Sequence, residues 1–97
     1  MAIGTDITDE AQVDNLVKQT LDAYGKVDVL INNAGVGTAV PATRETPEQF
    51  RAVVDVNLHG SYWMAQACAR VMQPGSAIVN VSSILGLTTG GLPQAAY

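Results

Sequence analysis

A chain of 97 residues has room for one small domain or part of a larger one, and 47% apolar with 14% charged content argues against disorder. Five Lys plus Arg against nine Asp plus Glu leave a net charge of −4 with no basic cluster, which argues against a nucleic-acid footprint. No apolar run reaches the roughly 18 residues of a membrane span, the start Met1-Ala2-Ile3-Gly4 lacks a signal-peptide pattern, and the lone Cys68 provides neither a disulfide framework nor a thiol metal site, so a cytoplasmic protein is expected.

Residues 1–7 are short and mixed, and are expected to be the end of a strand. Thr8 or Asp9 then caps a helix, with Asp9 and Glu10 at its positive end. Val13, Leu16, Val17, Leu21 and Tyr24 follow at helical spacing, and Gly25 is a stop. Val27 to Ile31, an apolar run broken only by Asp28, reads as a strand covered on both faces. A loop containing Gly, Ala and Thr fills 33–46. Thr46-Pro47-Glu48-Gln49 supplies a cap, a proline at the first helical position and a capping-box glutamine. The helix it opens is predicted over 47–72, about 26 residues and ~39 Å long, and Pro74-Gly75 ends it. Ala77 to Val81 is the last strand, followed by Ser82-Ser83 and a Gly-rich loop. Strands and helices alternating over such connections imply parallel strands and right-handed crossovers. The fold class is α/β, a β-α-β-α-β segment.

Asn32-Asn33-Ala34-Gly35 falls just past the carboxyl end of a strand, the edge where open α/β sheets bind ligands. Small residues there let backbone approach a flat ligand, although the same residue types suit an ordinary turn. Asn57 shares a helical face with Phe50, Val53, Val54, Ser61, Met64 and Cys68. An amide on an apolar stripe must find partners, either as a helix-bending or loop-anchoring group or by holding a water near a site. Ser82-Ser83 follows the last strand at the same edge, but no G-x-S-x-G is present and His59, the only histidine, lies across its helix from Asn57. A Ser-His-Asp mechanism does not fit. Tyr97 carries a phenol, which needs a nearby cation before it can serve as acid or base at neutral pH. Asn80-Val81-Ser82 spells a glycosylation sequon at a strand end and reads as accidental.

In order and spacing these pieces resemble the short-chain dehydrogenase/reductase family along essentially the whole chain. The resemblance implies a partial Rossmann-like, doubly wound parallel sheet, with residues 1–97 as part of a dinucleotide-binding domain. It implies that NAD or NADP is bound along Asp6, Ile7, Asn32, Asn33, Ala34, Gly35, Val81 and Tyr97, with Asp6 at the adenine. Asn57, Ser83 and Tyr97 would then be catalytic in alcohol–carbonyl interconversion: a water-holding relay, the anchor of the substrate oxygen and the proton carrier. Ser83 and Tyr97 stand one position further apart than the family pattern. Gly86, three residues after Ser83, fits that pattern, so an extra residue in the 88–94 loop is the simpler account and Ser82 the other candidate. The family's Gly-rich phosphate loop is expected before residue 1 and its lysine after residue 97, so the chain is expected to be an interior piece, inactive and poorly folded by itself. A small alcohol or ketone is the implied substrate. A homo-oligomer is implied through the 47–72 helix, where Trp63 faces outward with His59, Gln66 and Arg70. The rival readings are a non-catalytic nucleotide-binding protein on the same scaffold and an inactive gene product.

Overall fold

The computed structural model describes all of residues 1–97. Helix α1 spans Glu10–Tyr24, and Asp9 rather than Thr8 caps it: its Oδ1 accepts from the backbone N–H groups of Ala11 (3.0 Å) and Gln12 (3.3 Å). Gly25 closes the helix in the left-handed region at φ 77°, where a Cβ is strained, and its N–H donates to Leu21 O at 2.7 Å. Val13 and Val17 turn inward to the core, with Leu16 and Leu21 half-buried beside them; Tyr24, at the end of the stripe, is exposed.

Strand β1 (Val29–Asn32) pairs in parallel with β2 (Ala77–Asn80), in register Val29↔Ala77 through Asn32↔Asn80. Two corrections to the sequence expectations follow. Residues 1–7 form no strand, because an extended segment becomes one only through a ladder partner and no third strand is available to it. The 27–31 run is covered on one face only. Leu30 and Asn32 point to the helices, whereas Val29 is 56% and Ile31 61% exposed.

The predicted long helix is present as one continuous rod with a defect in its middle. Helix α2 (Pro47–Val54) opens on the expected capping box, Thr46 Oγ1 accepting from Gln49 N at 3.2 Å and Gln49 Oε1 from Thr46 N at 2.9 Å. A six-residue π turn, Asp55–Gly60, then leads into helix α3 (Ser61–Ala69), and the backbone stays in the right-handed helical region at both junctions. The rod therefore stops at Ala69, short of Met72, and π turns of this kind recur at functional sites. Of the stripe assigned to Asn57, Val53, Met64 and Cys68 are buried, but Phe50 is exposed.

The core lies between α1, α3 and one face of the sheet, built from Val13, Val17, Leu30, Met64, Ala67 and Cys68. Ile7 packs against this cluster and over the π turn. A Cβ on Gly60 would lie 2.6 Å from Ile7 Cγ1 and Cδ1, so glycine is what lets the 1–7 segment approach the rod. No helix is long and apolar enough to cross a membrane.

Candidate active site

The carboxyl ends of β1 and β2 and the π turn enclose a cleft of about 380 Å³. Its floor is Asn33, Ala34 and Gly35 from the loop after β1, Asn57 and Ser61 from the rod, and Val81 to Ser83 from the loop after β2. Gly86 and Tyr97 complete it. The three residues expected to be catalytic, 57, 83 and 97, thus meet in one place with four other expected cofactor contacts, Asn33, Ala34, Gly35 and Val81.

Asn57 reaches the cleft by clamping the loop opposite. Its Oδ1 accepts from Val36 N and its Nδ2 donates to Val36 O, both at 2.8 Å. This is the loop-anchoring role, and it leaves one Nδ2 hydrogen and one lone pair of Oδ1 unused. Gly35 sits directly beneath: a Cβ there would touch Asn57 Oδ1 at 3.5 Å. Ser83, half-buried, caps a short 3-10 turn (Ile84–Gly86), its Oγ accepting from Leu85 N at 3.2 Å. Because Oγ is the acceptor there, its own hydrogen remains free to donate. Ser82 is exposed at the same rim and lines the same cleft. The Tyr97 ring lies over Gly37, 3.6 Å from where a Cβ would stand.

Three expected cofactor contacts lie outside the cleft. Asn32, 8% exposed, points inward; its Nδ2 donates to Ser61 O (3.0 Å) and to Asn80 Oδ1 (2.9 Å), tying both strand ends to the rod. Ile7, partly buried, packs its side chain against the core. Asp6 is exposed at the end of the 1–7 segment, where its Oδ1 accepts from Thr8 N (2.9 Å) and Thr8 Oγ1 (2.7 Å). The Thr8 hydroxyl first, and its backbone N–H second, hold the Asp6 carboxyl below the usual carboxylate range. His59 pairs with Asp55 at 2.8 Å across the π turn, away from Ser83. Burial pushes the Cys68 thiol up, so it packs as a small apolar group and not as a nucleophile.

Sequence reasoning did not assign Ser61 to the site, although it carried a usable signal, one turn beyond Asn57 on the same face. That Tyr97 comes to lie over Gly37 depends on how the loops at 33–46 and 88–97 fold onto each other, joined by a Val40↔Gln94 bridge.

Fold and cleft together define an α/β protein with a cleft at the carboxyl ends of its parallel strands, the edge where open α/β sheets bind ligands. The profile of the short chain dehydrogenase family matches residues 1–97, and the chain belongs to that family. A 3-oxoacyl-[acyl-carrier-protein] reductase from Synechocystis is 34% identical over 99 residues, covering 100% of this chain and 40% of the relative. A sorbitol dehydrogenase from Cereibacter sphaeroides is 36% identical over 88 residues, covering 88% of this chain and 34% of the relative. The crystal structure of a short chain dehydrogenase from Burkholderia cenocepacia in complex with NADP superposes with a TM-score of 0.88 at 32% identity, over 95% of this chain and 38% of that one. The chain thus spans 40% or less of the length of these relatives.

The residues present fit one end of a dinucleotide. Ala34 and Gly35 offer exposed backbone with little side chain, and beside them stand only neutral polar groups able to hydrogen-bond a ribose or amide.

Proposed function

We propose that this chain is the central part of an NAD- or NADP-dependent oxidoreductase that interconverts an alcohol and a carbonyl in the cytoplasm, with the glycine-rich phosphate loop and the active-site lysine supplied by flanking sequence. The observation that carries this reading is that Asn57, Ser83 and Tyr97, spread over 41 positions of the sequence, line a single cleft with Asn33, Ala34 and Gly35. Family membership supports the oxidoreductase chemistry.

Asn33, Ala34 and Gly35 would line the adenosine side of the cofactor, with Asp6 at the adenine through the carboxylate oxygen that Thr8 leaves free, and Val81 would contact the cofactor just past β2. Bound there, the cofactor supplies or accepts a hydride. Ser83 donates its free hydroxyl hydrogen to the substrate oxygen, which fixes the reacting carbon and favours the charge that builds on that oxygen. Tyr97 gives that oxygen a proton during reduction and takes it back during oxidation. A phenol does this at neutral pH only beside a cation, the place of the flanking lysine. Asn57, with its remaining hydrogen and lone pair, holds a water that relays the proton outward while it pins the cofactor loop. Asn32 and Ile7 serve the scaffold beneath. Trp63, stacked edge-to-face on Tyr62 at 5.1 Å on the outward side of α3, marks the surface through which the full-length protein pairs with its own copy.

The test is a pair of serine variants in the full-length polypeptide, assayed for NAD(P)-linked turnover. Ser83→Ala is expected to lower kcat by about 10²–10³, as loss of one oxyanion donor does, and Ser82→Ala to stay within a few-fold. The reverse pattern transfers the role to Ser82. Full activity in both ends the reading.

A further inference from the structure

The short turn after β2 is held by its own hydrogen bonds. Gly86 N donates to Ser83 O (3.0 Å), Leu87 N to Ile84 O (2.9 Å) and Leu85 N to Ser83 Oγ (3.2 Å). Its apolar side chains divide in two. Leu85 is half-buried and packs near Gly90, where an added Cβ would stand 3.0 Å from Leu85 Cδ2. Ile84 and Leu87 take no part in the core and are 72% and 93% exposed. With Ser82, Ser83 and Gly86 these two line a surface cavity of about 540 Å³.

Ser82, Ser83 and Gly86 also line the cleft, so cleft and cavity share one wall, while Asn57, Tyr97 and the 33–35 loop stand on the cleft side alone. A carbonyl whose oxygen accepts from Ser83 sits at that wall, and a substituent on its carbon can cross into the cavity. Gly86 keeps the wall low. Its φ is not in the left-handed region and an added Cβ would meet nothing within 4 Å, so neither backbone nor packing calls for glycine there. No charged side chain lines either space, so a carboxylate or phosphate on the substituent would lose water and find no partner. We infer that Ile84 and Leu87 are specificity-determining residues that bury an uncharged aliphatic chain on the reacting carbonyl, which makes aliphatic ketones and the matching secondary alcohols the substrate class. This rests on the oxidoreductase reading above. The Ser83 oxygen that anchors the substrate also caps the turn, so both apolar side chains are held in register with the reacting atoms.

The experiment measures NAD(P)H-linked reduction of methyl ethyl, methyl propyl and methyl butyl ketone by the full-length enzyme, with levulinate as a methyl ketone whose chain ends in a carboxylate. In wild type kcat/KM is expected to rise about fourfold for each added methylene, and levulinate to fall below methyl butyl ketone. The double variant Ile84→Asn/Leu87→Asn should flatten that rise to about twofold or less per methylene, and Leu87→Met should keep it. Tm should hold in all three proteins, since both side chains lie outside the core. A wild-type rate that is flat or falls with chain length, a preference for levulinate, or an unchanged rise in the double variant overturns the assignment. So does a drop in Tm with equal losses on every ketone, which would mean that another part of the polypeptide covers Ile84 and Leu87. Unchanged ketone reduction by Tyr97→Phe is a separate failure, that of the oxidoreductase reading itself.

Discussion

The two amide bonds from Asn57 to Val36 decide what this residue does first. An amide on the inner face of a helix was readable as a group in need of partners, but its partner was not, because Val36 is 21 positions away on a loop without a pattern of its own. The same holds for Asn32, expected as a cofactor contact by its place in Asn32-Asn33-Ala34-Gly35, whose amide ties Asn80 to the rod. A period-2 strand sends alternate residues to opposite sides, so Asn32 and Asn33 cannot both face the cleft. Asn57→Ala leaves both Val36 groups to solvent, at a stability cost of about 0.5–1.5 kcal/mol for each net bond. Its main effect is expected on the loop: the Kd of the full-length protein for reduced cofactor should rise several-fold by fluorescence titration, along with a fall in kcat. A kcat loss at unchanged Kd would leave the water relay as the only role of Asn57.

At the scale of elements, the helix signals were the most legible. Asp9, Gly25, and the Thr46–Gln49 box act where their residue types predict, because caps are local chemistry. The π turn was not legible, since one inserted residue leaves the apolar spacing on either side intact. Its last residue, Gly60, explains how it is used, as the point where Ile7 rests on the rod. Gly60→Ala places a methyl within clashing distance of Ile7 and is expected to destabilise the full-length protein by about 1–3 kcal/mol. Trimming the opposing side chain in Gly60→Ala/Ile7→Ala should cost less than the sum of the two single changes. Additive losses by denaturant titration would show that the contact is not what fixes glycine here.

Across the whole molecule, one side of the sheet is bare. Val29, Ile31, Val79 and Val81 are all about half exposed or more, and both outer edges of the two-stranded sheet lack partners. The apolar 27–31 run, read as a strand covered on both faces, therefore describes a strand whose second cover is not made by these residues. An isolated two-stranded sheet is marginal by itself, and open apolar faces and edges favour association over folding. This, with relatives more than twice as long, is why activity belongs to a longer polypeptide in the proposal above. What the chain contributes to that polypeptide is the gathering of three distant side chains at one sheet edge. The most direct measurement is NAD(P)-linked alcohol oxidation by the full-length protein with Tyr97→Phe, which deletes only the phenolic oxygen. Turnover should fall by at least about 10² while cofactor affinity is retained; turnover at the wild-type rate would contradict the assignment of Tyr97 as the proton carrier and with it the cleft as an active site.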